Sequence, residues 1–404
     1  MKRAYGRAYT RLWTANALSA IGTGMTTAAL PLLASIHPPS GMVLGIIAAA
    51  GLLPGLLLAV PAGLLADRYE RRTVLVAADL VRAAVVAAAA IALIIGELPG
   101  IVLALITFLI GAGETIFVTA SQSAIPSYVA DTDLDGANGH LQAADDAGRE
   151  FIGPPLGSLV FRLATWIPFV ADAVSYVVSA TLLLRLPRAT PPATGELRVP
   201  RTMGPAWMFF RRSRPLKVLA VAMFTLSLCG SAVIALLVLI VTTQLSLDRA
   251  WFGPTLTVVA IGATVAGLLA GRVRARVSAR TAICGAVALN AASYFALGST
   301  HWWPLAIAAL LVWGFAVTLG NITSVGIRQR LIPVDLLGRV MGIFRAALGA
   351  GGVIGALGGG ALAQYTSVGT VAIAASLLQL PVVLALAIGL PRGTGDQAAG
   401  AVSN

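Results

Sequence analysis

The chain has 404 residues, of which 58% are hydrophobic and 11% charged, with a formal net charge of +12. A water-soluble protein of this length needs a polar surface that such a composition cannot cover, so a soluble globular domain is excluded. The basic residues stand between apolar runs instead of forming one patch, which also excludes nucleic acid as the reason for the positive charge.

No Asp, Glu, Lys or Arg occurs between Arg11 and Asp67, Lys217 and Asp248, Arg280 and Arg328, or Arg345 and Arg392. These runs exceed the roughly 20 apolar residues that cross a bilayer, so several hold two spans joined by a turn. Breaks at His37-Pro-Pro-Ser-Gly41, Gly96-Glu-Leu-Pro-Gly100, Thr165-Trp166, Leu247-Asp-Arg249 and Thr300-His-Trp-Trp-Pro304 divide them. Twelve spans are predicted, near 12–36, 42–66, 73–95, 100–124, 137–161, 165–185, 216–244, 252–271, 280–298, 302–326, 338–362 and 368–390. Each is predicted helical, because lipid offers no partner to a free backbone group.

Span 1 has an apolar run longer than the core of a secretory signal and is expected to be kept as a core helix. Its polar positions Asn16, Thr23 and Thr27 are candidates to line a substrate cavity. Span 2 ends on Gly63-Leu-Leu-Ala-Asp67-Arg68, followed by Arg71 and Arg72. Asp79 and Arg82 in span 3 are spaced to pair on one helix face. Glu114 in span 4 and Arg149 and Glu150 in span 5 fall near mid-span, where a charge is costly and needs a reason. An interhelical pair of Glu114 with Arg149 is expected, with Glu150 on a different face, towards a cavity. A carboxylate in an apolar interior is the group type that carries a coupling proton. Glu114 and Glu150 are therefore the leading candidates, with Asp172 in span 6 a further one. His140, Asp145 and Asp146 are expected on a solvated or loop-pairing face. Span 5 also carries Gly148, Gly153, Pro154 and Gly157, small residues and a helix-bending proline.

A linker at 187–215, rich in Pro and Arg, separates an N-terminal bundle at 1–186 from a C-terminal bundle at 216–404. Its segment Gly204-Pro-Ala-Trp-Met-Phe-Phe-Arg-Arg212 is expected to form a short amphipathic helix on the inner leaflet. The later spans carry almost no charge. Asn290, Trp313 and Asn321 there are cavity candidates suited to apolar and weakly polar contacts. Cys229 and Cys284 lie singly in different spans and are expected to be packing residues.

With the N-terminus inside, twenty-three of the 28 basic residues fall in inner segments and two, Arg162 and Arg249, in outer loops. Both termini are thus expected in the cytoplasm. Neither lysine follows a glycine, so no phosphate-binding loop of an ATPase is present, and no metal or serine-triad constellation appears. No cofactor and no enzyme activity are expected.

The sequence Gly63-Leu-Leu-Ala-Asp67-Arg68 returns about 204 positions later as Gly267-Leu-Leu-Ala-Gly271-Arg272. Gln122-Ser-Ala-Ile-Pro126 matches Gln329-Arg-Leu-Ile-Pro333, and Gly153-Pro-Pro-Leu-Gly157 matches Gly355-Ala-Leu-Gly358, in the same order. Three matches at nearly one offset indicate a duplicated helical bundle.

The stretch Gly63-Leu-Leu-Ala-Asp67-Arg68-Tyr-Glu-Arg71-Arg72 resembles the loop between helices 2 and 3 of the major facilitator superfamily. Gly148 with Gly153-Pro154-Pro-Leu-Gly157-Ser158 is similar to that superfamily's antiporter motif. Leu12-Trp-Thr-Ala-Asn16, Ala77-Ala-Asp79-Leu-Val-Arg82 and Ala171-Asp172-Ala-Val-Ser175 look like the branch of enterobactin exporters and macrolide-efflux proteins. The resemblance implies an all-α membrane protein with twelve transmembrane helices in two pseudo-symmetric six-helix bundles around a central cavity. It implies an inner gate at Gly63, Asp67, Arg68, Arg71 and Arg72. It further implies proton-coupled export of a hydrophobic or amphiphilic small molecule, by a monomer in the bacterial plasma (inner) membrane. Many relatives carry an acid near Thr23; this chain does not, so coupling through that position is excluded. A facilitator-type importer and a non-transporting scaffold or sensor are the alternatives.

Overall fold

The computed structural model describes residues 2–36, 40–96, 98–187 and 203–390, without the side chains of residues 2–4, 67 and 131. The first helices are α1 (Lys2–Ala34), α2 (Gly41–Leu57), α3 (Ala59–Arg68), α4 (Arg71–Ile95) and α5 (Gly100–Ala124). Next come α6 (Leu134–Asp146), α7 (Gly153–Phe161), α8 (Ile167–Leu183), α9 (Gly204–Arg212) and α10 (Arg214–Leu239). The last five are α11 (Phe252–Arg276), α12 (Ala279–Ser299), α13 (Trp303–Leu331), α14 (Val334–Tyr365) and α15 (Val368–Gly389). Among the described residues there is no strand.

Among the described residues nine helices are long and apolar enough to cross a bilayer, and the bent pair α2–α3 makes ten. The expected twelve is reached when two more segments are counted. One is α6 and α7 with the π-helical turn Ala147–Ile152 between them, set apart by its charges. The other is α8, apolar but 17 residues long. The 50° bend between α2 and α3 has a local cause. Pro61 has no N–H for the Leu57 carbonyl four residues back, and its ring crowds that carbonyl. Serines set three of the helix starts. Ser40, Ser278 and Ser367 each accept a hydrogen bond from the backbone N–H three residues on.

The helices form two compact units. Unit 1 comprises Met1–Arg198 and Leu247–Thr257, and unit 2 comprises Val199–Ser246 and Val258–Asn404. In unit 1, α1 packs on α7 and α8, α4 on α5 and α8, and α2 on α5. In unit 2, α10 packs on α14 and α15, and α12 on α13 and α15. Counted as spans, the first of each set meets the fifth and sixth, and the third meets the fourth and sixth. That shared pairing is the three-dimensional counterpart of the sequence repeat.

Each unit has its own apolar core. Tyr9, Leu12, Leu75, Phe117 and Leu183 are buried together in unit 1, and Leu216, Met223, Ile283, Phe344 and Leu386 in unit 2. Helix α9 is amphipathic, as its sequence indicates. Ala206 and Phe210 are buried in the unit 2 core, while Trp207, Met208, Arg211 and Arg212 are exposed. Large apolar side chains such as Ile95, Leu268 and Ile388 are also exposed, as a surface facing lipid requires.

Candidate functional site

Unit 1 holds a chain of charged side chains inside the bundle. On α4, Asp79 and Arg82 are one turn apart and form a salt bridge, both almost wholly buried at 0% and 1% exposure. Arg82 also approaches Glu114 of α5 at 3.9 Å. Glu114 is paired in turn with Arg149 at 2.5 Å, and Arg149 with Asp145 at 3.3 Å. The Arg82 guanidinium lies 4.5 Å from the centre of the Phe117 ring and 4.3 Å from that of Tyr176. Aromatic faces offset part of the cost of burying a cation.

The predicted pairs Asp79–Arg82 and Glu114–Arg149 are both present, and they are one network. Asp145 differs from its expected solvated or loop-pairing role: it joins the network through Arg149, one helical turn away. That spacing was available as a signal in the sequence. The roles of Phe117 and Tyr176 were not, because only packing brings their rings to Arg82. Glu150 is exposed and outside these pairs, and its neighbour Asp146 accepts from Gln142 at 2.8 Å.

The proline motif gives Arg149 its position. Pro154 and Pro155 cannot donate to the carbonyls of Glu150 and Phe151, four residues back. The backbone between α6 and α7 widens into the π-helical turn Ala147–Ile152 just before them. The Thr257 hydroxyl lies 3.2 Å from the Glu150 carbonyl and 3.5 Å from that of Phe151, both within unit 1. A side chain from α11 thus reaches the two acceptors that the prolines release. Thr257→Val is expected to lower stability by about 0.5–1.5 kcal/mol, with Thr257→Ser recovering most of it. Reversible unfolding in detergent measures this; an unchanged midpoint in the valine variant would remove Thr257 from this role.

The motif glycines bring α1 against this turn. A Cβ at Gly148 would lie 2.8 Å from Ala20 Cβ, one at Gly153 2.6 Å from Gly24 Cα, and one at Gly157 2.5 Å from Met25 O. Backbone meets backbone here, which only small residues allow. On α1 itself, Asn16 and Thr23 are buried, and Thr23 shares a 2.8 Å hydrogen bond with the Tyr176 hydroxyl. Thr27 is exposed and donates to the Thr23 carbonyl. Asp172 is completely buried and accepts from Thr26 at 2.6 Å and Ser175 at 3.3 Å. It has hydroxyl partners where Glu114 has guanidinium ones.

At the junction of α3 and α4, Arg71 donates to Ser127 at 2.6 Å, and Arg72 to the carbonyl of Leu186 beyond α8 at 3.0 Å. Arg11 likewise donates to the Arg185 carbonyl. Arginines here complete the free carbonyls at a helix C-terminus, where their charge is also favoured. Gly63 is half-buried, and Arg68 is exposed beside Tyr69. The Asp67 side chain lies outside the described part.

Unit 2 contains a cavity of about 430 Å³ between α10, α12, α13 and α14. It brings together Asn290, Trp313 and Asn321 of the predicted cavity residues. Among the described residues that line it, none is charged. Apolar side chains such as Met223, Val287 and Leu348 make most of the wall.

Two units of apolar helices with the same internal pairing define a multi-pass helical membrane protein with the major facilitator fold. The chain belongs to the family described as transmembrane secretion effector, which matches residues 5–403. It is 30% identical over 181 residues to the multidrug efflux pump Tap of Mycolicibacterium fortuitum, covering 42% of this chain and 44% of that protein. It is 23% identical over 180 residues to macrolide efflux protein A of Streptococcus pyogenes, covering 44% of each. The chain thus spans less than half the length of these curated relatives. Its fold matches a variant of the nucleoside transporter NupG with a TM-score of 0.80 at 12% identity, over 95% of this chain and 100% of that one. At that identity the likeness concerns the fold alone.

Proposed function

We propose that the protein is a proton-coupled exporter of hydrophobic or amphiphilic small molecules, working by alternating access in a bacterial cell membrane. One observation carries this reading. The network in unit 1 sets three carboxylates, Asp79, Glu114 and Asp145, against two guanidiniums, Arg82 and Arg149. One bound proton neutralises it, and a buried network avoids net charge. Glu114, bridging both arginines, is the proposed carrier. Glu150 and Asp172 are further acids of the same unit, and Arg149 is the cation that switches partners as the proton comes and goes. The relatives' efflux functions agree with the direction of transport.

In this reading residues 1–186 handle the proton and 216–404 face the cargo, with 187–215 as a cytoplasmic linker and both termini in the cytoplasm. Gly63, Asp67, Arg68, Arg71 and Arg72 form the inner gate. Gly148, Gly153, Pro154 and Gly157 keep span 5 close to span 1 during exchange. Asn16, Thr23 and Thr27 contribute polar contacts from span 1, and the chain acts as a monomer.

Purified protein in vesicles with an imposed pH gradient tests the proposal. Cargo accumulation on the acidic side, collapsing when a protonophore removes the gradient, is the expected result. Downhill flux indifferent to the gradient would identify a facilitator instead, and no flux of a broad panel of apolar compounds would favour a scaffold or sensor.

A further inference from the structure

We infer that the inner end of the unit 2 cavity receives the carboxylate of an amphiphilic anion, with Arg328 as its counter-ion and the apolar cavity as the seat of its rings. The inference rests on the transport reading and narrows its substrate class. Arg328 is 3% exposed and stands in the last turn of α13. Among the described residues it takes part in no salt bridge. Its Nε donates to the Ser324 carbonyl at 3.2 Å, and its guanidinium lies 4.5 Å from the centre of the Phe344 ring. The two terminal nitrogens donate to no described residue, and neither is among the polar atoms that packing seals off. The helix C-terminus and the ring face offset part of the cost of this buried cation. A counter-ion is still missing, and two free N–H groups in a planar fork match a carboxylate. Arg82 of unit 1 shows the contrast: it is as deeply buried, but Asp79 pairs with it.

The guanidinium is directed towards the cavity. Arg328 stands two helical turns past Asn321 on the same face of α13, and Asn321 lines the cavity. A helical side chain leans towards the N-terminus of its helix, and the bond to Ser324, one turn back, has Arg328 leaning that way. Its charge therefore lies about one turn, or 5 Å, from the level of Asn321. On α14 the ring beneath it, Phe344, is one turn before Leu348, another lining residue. Both walls thus place Arg328 at the inner end of the cavity. The cavity volume of about 430 Å³ suits two or three rings. The Trp313 indole is held edge-to-face by Tyr294, with ring centres 5.3 Å apart at 74°, and presents a fixed aromatic wall. Among the described residues the lining holds no carboxylate, so a cation here would meet Arg328 with nothing to balance it. The site therefore selects anionic cargo over neutral and cationic cargo of the same shape.

The test uses the full chain in nonionic detergent at neutral pH, without a gradient. Naphthoate carries a carboxylate on two rings; naphthamide is its neutral analogue; naphthyltrimethylammonium puts a cation on the same rings. Affinities are read from ligand-dependent shifts in the unfolding midpoint. The wild type is expected to bind naphthoate about tenfold more tightly than naphthamide, and not to bind the ammonium. Arg328→Gln should bind naphthoate and naphthamide equally. It removes one of 28 basic residues, so a preference due only to the net charge of +12 would survive it and overturn the inference. Val317→Phe, which narrows the cavity and leaves Arg328 in place, should weaken both ligands, and it supplies the check if Arg328→Gln does not fold. Equal wild-type affinity for naphthoate and naphthamide, or preference for the ammonium, would also overturn the inference. A lipid phosphate is the other source of an anion. Arg328-dependent stabilisation by phosphatidylglycerol added to the micelles, with none by naphthoate, would assign the site to lipid and overturn the cargo reading of it. Arg328-dependent binding of naphthoate without flux in vesicles would instead count against the transport reading, and proton-driven flux with no preference for the carboxylate would count against this inference alone.

Discussion

Arg82→Met is expected to destabilise the protein by about 3–5 kcal/mol, because it leaves a buried carboxylate without its counter-ion. Asp79 is 0% exposed and has Arg82 as its salt-bridge partner. The same substitution removes the guanidinium from the Phe117 and Tyr176 rings and from the neighbourhood of Glu114. A methionine fills much of the space but satisfies none of these groups. The double variant Asp79→Leu with Arg82→Met should recover most of the loss, since an apolar pair of similar volume has no charge to leave unpaired. Reversible unfolding of the purified protein in mixed micelles measures both. A single-variant cost below about 1 kcal/mol, the range of exposed ion pairs, would show that water reaches this site.

Glu114→Gln is expected to uncouple transport from the proton gradient while leaving the fold in place. The substitution leaves Asp79 with Arg82 and Asp145 with Arg149, two balanced pairs with no surplus carboxylate. Gln keeps the shape and one acceptor for Arg149, so the cost in packing is small. Under the proposed antiport, with one proton exchanged per substrate, a gradient of two pH units would sustain up to about 100-fold accumulation in the wild type, since each unit corresponds to a factor of ten. The variant should level off near a ratio of one while still equilibrating cargo downhill. Proton-dependent accumulation that survives in Glu114→Gln combined with Glu150→Gln would remove both residues as carriers.

The different legibility of these features has a physical basis. Asp79 and Arg82 stand three residues apart on one helix, so their pairing follows from helical geometry alone. Glu114 and Arg149 were matched by depth along neighbouring spans, a cruder ruler that still sufficed. Linking the two pairs required knowing which faces of α4 and α5 meet, and no spacing encodes that. Thr257 is the clearest case of what was hidden. It lies more than a hundred residues from the carbonyls it serves, in a segment that packs with unit 1 while the rest of its helix belongs to unit 2. Two prolines in a row signal that two carbonyls lack donors, but not which side chain supplies them.

The amino-acid sequence by itself determined the class of molecule. Charge-free runs longer than a bilayer is thick leave the backbone no choice but helix, and the basic loops and the repeat follow from reading order alone. The tertiary structure decided how the charges are shared. Three carboxylates on two guanidiniums arise only where side chains from different helices meet. Hydrophobic periodicity places helices in a membrane, but lipid and protein interior are equally apolar, so it cannot say which polar atoms will face each other inside.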